Sequence, residues 1–371
     1  MARVGGGEWD ITAVAPNAFK GDLRPIVLEH LEGEACRLEG VPVHFDQRIH
    51  LMLYGRQLAS ILRSDWDLVH CWEEPYVLAG AQISALTPRN VPYVFWSAQN
   101  LNKWYPPPFS WVERFCLDRA AGWLACGQTT LDTLLKREGY QDLPHRVMPL
   151  GVDTQAFRPN AAAGEAVLGR LGWSRRRSPV VGYLGRFIAD KGVDLLMSVL
   201  EQSRASWRAL FVGGGPLEPE LRSWAERFGD RVRVVTGVEH AQVPDYLNAM
   251  DILCAPSQTT PKWREQLGRM VIEAFACGIP VISSDSGELP WVVGNGGVIV
   301  SESDQGAWVG ALSDLLESPK ERERLSAAGL NRARTLYDWP IIAKQHLSFF
   351  SEVLHKRSRP TIGRVTDELL S

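Results

Sequence analysis

The segment VVGYLGRFIADKGVDLL runs a β-branched stretch into Gly185, then Arg186 and, five residues later, Lys191, ahead of a helical pattern. A glycine at a strand end lets backbone approach a ligand closely, and two cations from one loop suit a diphosphate. The same residues also fit an ordinary strand-to-helix loop with two exposed cations. VGGGP (Val212 to Pro216) follows the next strand; it lacks the spacing of a dinucleotide fingerprint and is weak alone. The segment PSQTTPKWREQLGRMVIEAFACGIPVISSDSGELPWVVG places seven residues between Glu265 and Glu273, with Leu267 and Gly268 opening a helix expected to run to about Cys277. Glu265 then stands in the loop and Glu273 one to two turns inside the helix, about 12 Å apart were both helical. That spacing suits two ends of an extended ligand rather than one shared proton. The amides of Leu267 and Gly268, with the positive end of the helix dipole, are placed to stabilise negative charge. A capping carboxylate plus a solvated glutamate is the alternative; joined to Gly185, Arg186 and Lys191, the two acids read as a ligand site.

Positioning these residues takes strands and helices in alternation. Strand patterns WDITAVAP, VPVHF, DLVHCW, VPYVFWSA, GWLACG and HRVMPLG alternate with amphipathic stretches in the first half; PVVGYLG, RALFVGG, VRVVTG, DILCAPS, IPVISSD and GVIVSES do so in the second. Two doubly wound, Rossmann-like α/β domains follow, facing each other across a cleft with ligand at the carboxyl ends of the strands. The expected division is 1–150, a linker 151–164 (GVDTQAFRPNAAAG), 165–340, and a last helix with tail over 341–371. WSRRRSP, with Arg175 to Arg177, reads as a solvated loop, the minority reading being a patch for a membrane surface or acidic partner. WDITAVAP has only eight residues ahead of it, whereas a doubly wound domain opens with a strand at mid-sheet. The first strand of the N-terminal domain is thus expected to be missing: either an upstream strand has been lost from the reading frame or the domain is rebuilt. MARVGGGEWD fits the end of a helix terminated by Gly5 to Gly7.

Lys and Arg total 40 against 43 Asp and Glu in 371 residues, which argues against a nucleic-acid partner. Six cysteines without a Cys-x-x-Cys pair indicate neither a zinc site nor a disulfide framework, and fit a reducing compartment. The absence of a long apolar run or signal-type start points to a cytoplasmic protein. Asp65-Trp66-Asp67 has a metal-site form but lies at a strand entry, so it is read as a turn, with no essential metal and no cofactor expected. Glu73 and Glu74 follow a strand end: either they line the cleft toward an acceptor or they are exposed loop carboxylates, the commoner case. NKWYPPPFSWVERF (Asn102 to Phe115) suits sugar rings or a membrane interface, or else a rigid loop entering a core helix.

Taken together, GRFIADKG, LGVDTQAFRP, the Glu-seven-Glu element and ACGIPVISSDSGELP, with HCWEEPY and AQNLNKWYPPPFSWVER before them, resemble glycosyltransferase family 4, the retaining nucleotide-sugar enzymes of GT-B fold. The resemblance covers the second domain nearly throughout and the first from EWDITAVAP onward. It implies that Arg186 and Lys191 hold the donor diphosphate and neutralise the leaving group. It further implies that Glu265 meets the donor sugar near the reacting carbon, that Glu273 takes the ribose hydroxyls, and that Leu267 and Gly268 touch sugar and phosphate through their amides. Glu265, Arg186 and Lys191 are accordingly the expected catalytic residues. Many members carry a histidine after the fourth strand; Gln99 stands there, and Gln99, Asn100 and Glu74 are the expected sugar or acceptor contacts. The implied partners are a nucleotide-sugar donor and a sugar, lipid-linked sugar or small hydroxyl acceptor, with peripheral contact at the inner membrane face. The implied reaction retains anomeric configuration, in polysaccharide or glycolipid assembly. A nucleotide-sugar-binding protein decayed from a transferase is the alternative, and an epimerase of similar architecture a more distant one.

Overall fold

The structure, a computed structural model, describes residues 1–21, 25–30, 33–174 and 178–358. Arg175 to Arg177 and the tail beyond Ser358 lie outside the described residues. The second half forms one six-stranded parallel sheet in the order β9-β8-β7-β10-β11-β12. Its strands are β7 (Val180–Arg186), β8 (Arg208–Gly214), β9 (Val232–Thr236), β10 (Ile252–Ala255), β11 (Val281–Ser284) and β12 (Gly297–Val300). Period-2 alternation fills both faces. Val180, Leu210 and Val212 pack into one apolar core, while Val181, Tyr183, Ala209 and Phe211 pack into the other. Helix Arg269–Ala276 buries five of its eight side chains (Val271, Ile272, Ala274, Phe275 and Ala276) in the first core.

The first half is α/β as expected, but its sheet is divided. β1 (Thr12–Pro16) and β2 (Arg37–Val41) form a parallel pair. β3 (Val69–Cys71), β4 (Tyr93–Ser97), β5 (Ala120–Ala125) and β6 (His145–Val147) form a separate parallel sheet in the order β6-β5-β4-β3. VPVHF, expected as one strand, is split: Val41 ends β2 and Val43–His44 pair antiparallel with Leu53–Tyr54. Pro42 lies between and has no N–H to donate to a ladder. Met1 to Gly5 make a single turn, the Gly5 N–H donating to the Met1 carbonyl at 3.0 Å, before Gly6 and Gly7 take positive φ. Asp65 to Asp67 do form a helix-to-strand turn, the Trp66 indole donating to the Ile61 carbonyl at 2.6 Å.

Within 151–164 the chain is tied to its return segment: the Val152 N–H donates to the Tyr337 carbonyl (2.8 Å), and the Trp339 N–H to the Val152 carbonyl (3.1 Å). The next helix, Ala161–Arg170, begins inside that stretch because the Asn160 side chain accepts from the Ala163 N–H, a cap invisible to apolar periodicity. The last helix, Trp339–Ser358, crosses back to the first half. Ile342, Phe349, Phe350 and Val353 pack there with Val94 and Leu124 of the four-stranded sheet. Helix Phe109–Arg119 enters the core through Glu113 and Cys116, while Trp111 stays 68 % exposed and Trp104 ahead of it 80 %.

Candidate active site

The second-half residues singled out above gather at the carboxyl ends of β7, β10 and β11. β7 ends at Gly185 and Arg186, and a turn over Ala189–Lys191 brings Lys191 back toward the loop after β10. Lys191 Nζ lies 2.6 Å from Glu265 Oε2, with both side chains largely buried. Ser257 Oγ donates to the same carboxylate oxygen at 2.7 Å. The Lys191 ammonium also lies 4.7 Å from the centre of the Trp263 ring, a cation–π contact. Taking two charges out of water is tolerated only where such partners exist, so the pair is a built feature rather than two solvated side chains.

Glu265 is fixed through its backbone as well. Its carbonyl accepts from Asn100 Nδ2 (2.8 Å) and from the Glu288 N–H (3.1 Å). Its N–H donates to Ser286 Oγ at 3.3 Å. Gly287 has φ +56°, and a Cβ there would stand 2.0 Å from the Glu265 carbonyl oxygen. Only glycine allows that approach.

Helix Arg269–Ala276 starts two residues later than the sequence reading placed it, with Gly268 at its N-cap in the left-handed conformation (φ 81°). Leu267 buries its side chain in the core, leaving only its backbone for a ligand. The first-turn amides of this helix lack intrahelical acceptors by geometry. Glu273, in the second turn, is nearly buried and faces Arg269 Nη2 at 3.2 Å and His240 Nε2 at 3.4 Å. Sequence reading missed His240; it is 33 positions away and belongs to no motif. Tyr183 connects the two ends of the site, its hydroxyl donating to the Arg186 carbonyl at 2.7 Å. Burial pushes this phenol up, as does the Glu265 charge, while Arg186 opposes. VGGGP pairs Gly213 with Gly185 and lets the Phe187 N–H donate to the Gly214 carbonyl at 2.8 Å, so its glycines serve strand packing beside the site.

From the first half come residues after β3, β4 and β5. Asn100 spends its amide on the Glu265 carbonyl. Gln99 is buried, with Nε2 donating to the Tyr105 hydroxyl and, at 3.4 Å, to that of Tyr76. Glu74 accepts from Ser97 Oγ (2.6 Å) and the Ala98 N–H (2.7 Å); burial pushes its carboxyl up to about 7 against these two bonds. All three are thus committed to neighbours within the chain. Glu288 was not anticipated either. Its buried carboxylate accepts from the Gln128 N–H (2.7 Å), the Thr129 N–H (2.8 Å) and Thr129 Oγ1 (2.6 Å). Arg264 Nη2 to Thr133 Oγ1 (3.0 Å) and Gln266 Nε2 to the Ala98 carbonyl (3.0 Å) join the same halves.

Known proteins share the family and the fold of this chain. Residues 174–332 match the family model described as glycosyl transferases group 1, and residues 12–156 match that of Glycosyltransferase Family 4. A D-inositol 3-phosphate glycosyltransferase of Xylanimonas cellulosilytica is 34% identical over 357 residues, covering 92% of this chain and 79% of the relative. A GDP-mannose-dependent alpha-(1-6)-phosphatidylinositol monomannoside mannosyltransferase of Mycolicibacterium smegmatis is 32% identical, over 52% of each chain. Among solved structures, Anabaena HepE in complex with UDP superposes with TM-score 0.68 at 20% identity (86% and 87% of the two chains). Sucrose-phosphate synthase of Thermosynechococcus elongatus superposes with TM-score 0.72 at 21% identity (96% and 91%). With two Rossmann-like units and a relative this similar along most of its length, the chain belongs to glycosyltransferase family 4 and is a glycosyltransferase of GT-B fold.

Proposed function

We propose that the protein moves a sugar from a nucleoside-diphosphate sugar to a hydroxyl acceptor with retention of anomeric configuration, in polysaccharide or glycolipid assembly. The observation that carries this reading is the buried Lys191–Glu265 pair at the strand ends, shared between a cation loop and the start of helix Arg269–Ala276. Arg186 and Lys191 hold the diphosphate; an ammonium has three donors, and one of those of Lys191 goes to Glu265. Since Ser257 and Lys191 take Glu265 Oε2, Oε1 is the oxygen offered to a sugar hydroxyl. Glu273, with Arg269 and His240 beside it, takes the ribose hydroxyls. As the glycosidic bond breaks, its electron pair leaves on the diphosphate oxygen. That charge is met by the two cations and the helix start. The departing phosphate accepts the acceptor's proton, and the new bond forms on the same face of the sugar. Domain closure excludes water, and neither cofactor nor metal enters the scheme.

The relatives support the choice of partners: HepE is solved with UDP, and the M. smegmatis enzyme is named for a GDP-mannose donor and a phosphatidylinositol mannoside. A sugar or lipid-linked sugar acceptor follows, with exposed Trp104 and Trp111 as points of peripheral membrane contact. No helix among the described residues is long and apolar enough to cross a membrane.

The test is thermal unfolding with UDP, GDP, ADP and their sugars at millimolar concentration. At about 100 times Kd a ligand adds about 2.7 kcal/mol, a rise of several degrees. One nucleotide class should stabilise the chain, and Arg186→Ala and Glu273→Ala should abolish the effect; no stabilisation by any of them would overturn the reading. The divided N-terminal sheet favours a second reading, a nucleotide-sugar-binding protein without transfer. Stabilisation without product from any offered sugar or lipid-linked acceptor would select it.

A further inference from the structure

The connection from β10 to helix Arg269–Ala276 covers residues 256–268, where strand-to-helix connections take about 2–6 residues. The surplus folds back on itself. The Thr260 N–H donates to the Trp263 carbonyl (2.7 Å), and the Trp263 N–H to the Thr260 hydroxyl (3.0 Å) and carbonyl (3.3 Å). The base of this turn is tied down as well. The Gln258 N–H donates to the Asp190 carbonyl (2.8 Å) and the Thr259 N–H to Glu302 Oε2 (2.6 Å), while the Thr259 hydroxyl lies 2.9 Å from Ser286 Oγ. Gly192, with φ +70°, passes so close to Pro256 that a Cβ there would overlap the Pro256 carbonyl. The turn that carries Lys191 and the turn that carries Trp263 are thus held against each other through the backbone.

What the second turn presents is one large ring. Trp263 is half-buried and belongs to none of the apolar cores, so core packing gives no reason for an indole there. The reason is the Lys191 ammonium, 4.7 Å from the ring centre. An ammonium withdrawn from water gains from a ring face in place of lost hydration. Lys191 Nζ has three N–H bonds. One points to Glu265 Oε2 at 2.6 Å, the ring covers a second direction, and the third is left for a ligand oxygen.

We propose that Trp263 is a positioning residue of the donor site: its ring face fixes the Lys191 ammonium so that the remaining N–H meets the diphosphate, and it thereby sets the preference for a diphosphate over a monophosphate. The inference rests on the diphosphate reading of Arg186 and Lys191 given above. Without the ring the ammonium keeps Glu265 but turns about that contact and is hydrated on the side the ring covered, and the diphosphate has to displace that water.

Two readouts separate this role from a merely structural one. The first needs no nucleotide. Protons over an indole face are shielded by its ring current, so the Lys191 Cε protons, assigned by their loss in Lys191→Arg, are expected upfield of those of the other lysines, and among them in Trp263→Leu. Unshifted Lys191 protons in the wild-type chain would overturn the proposal. The second is the ratio of monophosphate Kd to diphosphate Kd, measured by calorimetry for UMP and UDP, GMP and GDP, and AMP and ADP. Trp263→Leu is expected to lower the ratio about tenfold for the pair that binds, through the diphosphate alone. Trp263→Phe, which keeps a π face, should recover most of that loss, and Lys191→Ala should lower the ratio at least as far as Trp263→Leu. Equal weakening of both nucleotides in Trp263→Leu would mean a structural role and overturn the proposal. So would an unchanged ratio in Trp263→Leu where Lys191→Ala lowers it. A ratio unchanged by Lys191→Ala, or no binding in any pair, would overturn the diphosphate reading and this inference with it.

Discussion

Replacing Glu288 with alanine is expected to loosen the two domains where they meet, and the structure sets the size of the effect. Glu288 follows β11, yet its carboxylate caps helix Gln128–Leu134 of the other domain with three hydrogen bonds. Gln128 and Thr129 are the first two residues of that helix, so their N–H groups have no intrahelical acceptor. A hydrogen bond to a charged group contributes about 1.5–3 kcal/mol, and loss of an N-cap about 1 kcal/mol. These overlap, and about 3 kcal/mol is the expected total, equivalent to roughly a 100-fold change in the local opening equilibrium. The assay is hydrogen exchange at the Gln128 and Thr129 amides. In Glu288→Ala both should exchange about 100-fold faster, while Leu131, whose N–H is held by the Gly127 carbonyl at 3.0 Å, changes less. Gly127→Ala should give the same signature from the opposite side, since its Cβ would stand 2.3 Å from the Glu288 carboxyl carbon. Unchanged exchange at Gln128 and Thr129 in Glu288→Ala would refute the reasoning.

Gly287→Ala is expected to lower transfer at least tenfold, because the new Cβ displaces the Glu265 carbonyl that Asn100 and the Glu288 N–H hold; steady-state kinetics checks this. Lys191→Ala should cost about 3 kcal/mol in urea unfolding, since it strands a nearly buried carboxylate with Ser257 as its remaining side-chain partner. Lys191→Ala with Glu265→Gln should recover part of that stability but no nucleotide binding. Glu74 is raised in the folded chain from the usual 4.5 to about 7 by burial. Its favourable contribution is full below pH 4.5 and is lost as pH rises through 7, about 3 kcal/mol in all. Glu74→Gln should therefore flatten that part of the stability–pH curve measured by urea titration.

The second domain was legible because its determinants are local. A β-branched run ending in Gly185, an apolar helical face over 269–276 and carboxylates at a fixed spacing each state their structure within a few turns of chain, and the six-stranded sheet follows. What stayed hidden joins distant positions. Asn100 reaches the carbonyl of a residue 165 positions away, and Glu288 reaches a helix start 160 positions back. Neither side chain differs in type from a solvated one, and only the packed domains bring them to their acceptors. The sequence also foresaw parallel strands in the N-terminal half. It did not foresee that the edges of β1 and β3 would stand apart around a cavity rather than close on each other. Closing them would drive helix Gln57–Leu62 and the last helix together from opposite faces, and Leu58, Leu62, Leu347 and Phe350 already fill those faces. The packing of the helices thus sets the distance between the two edges.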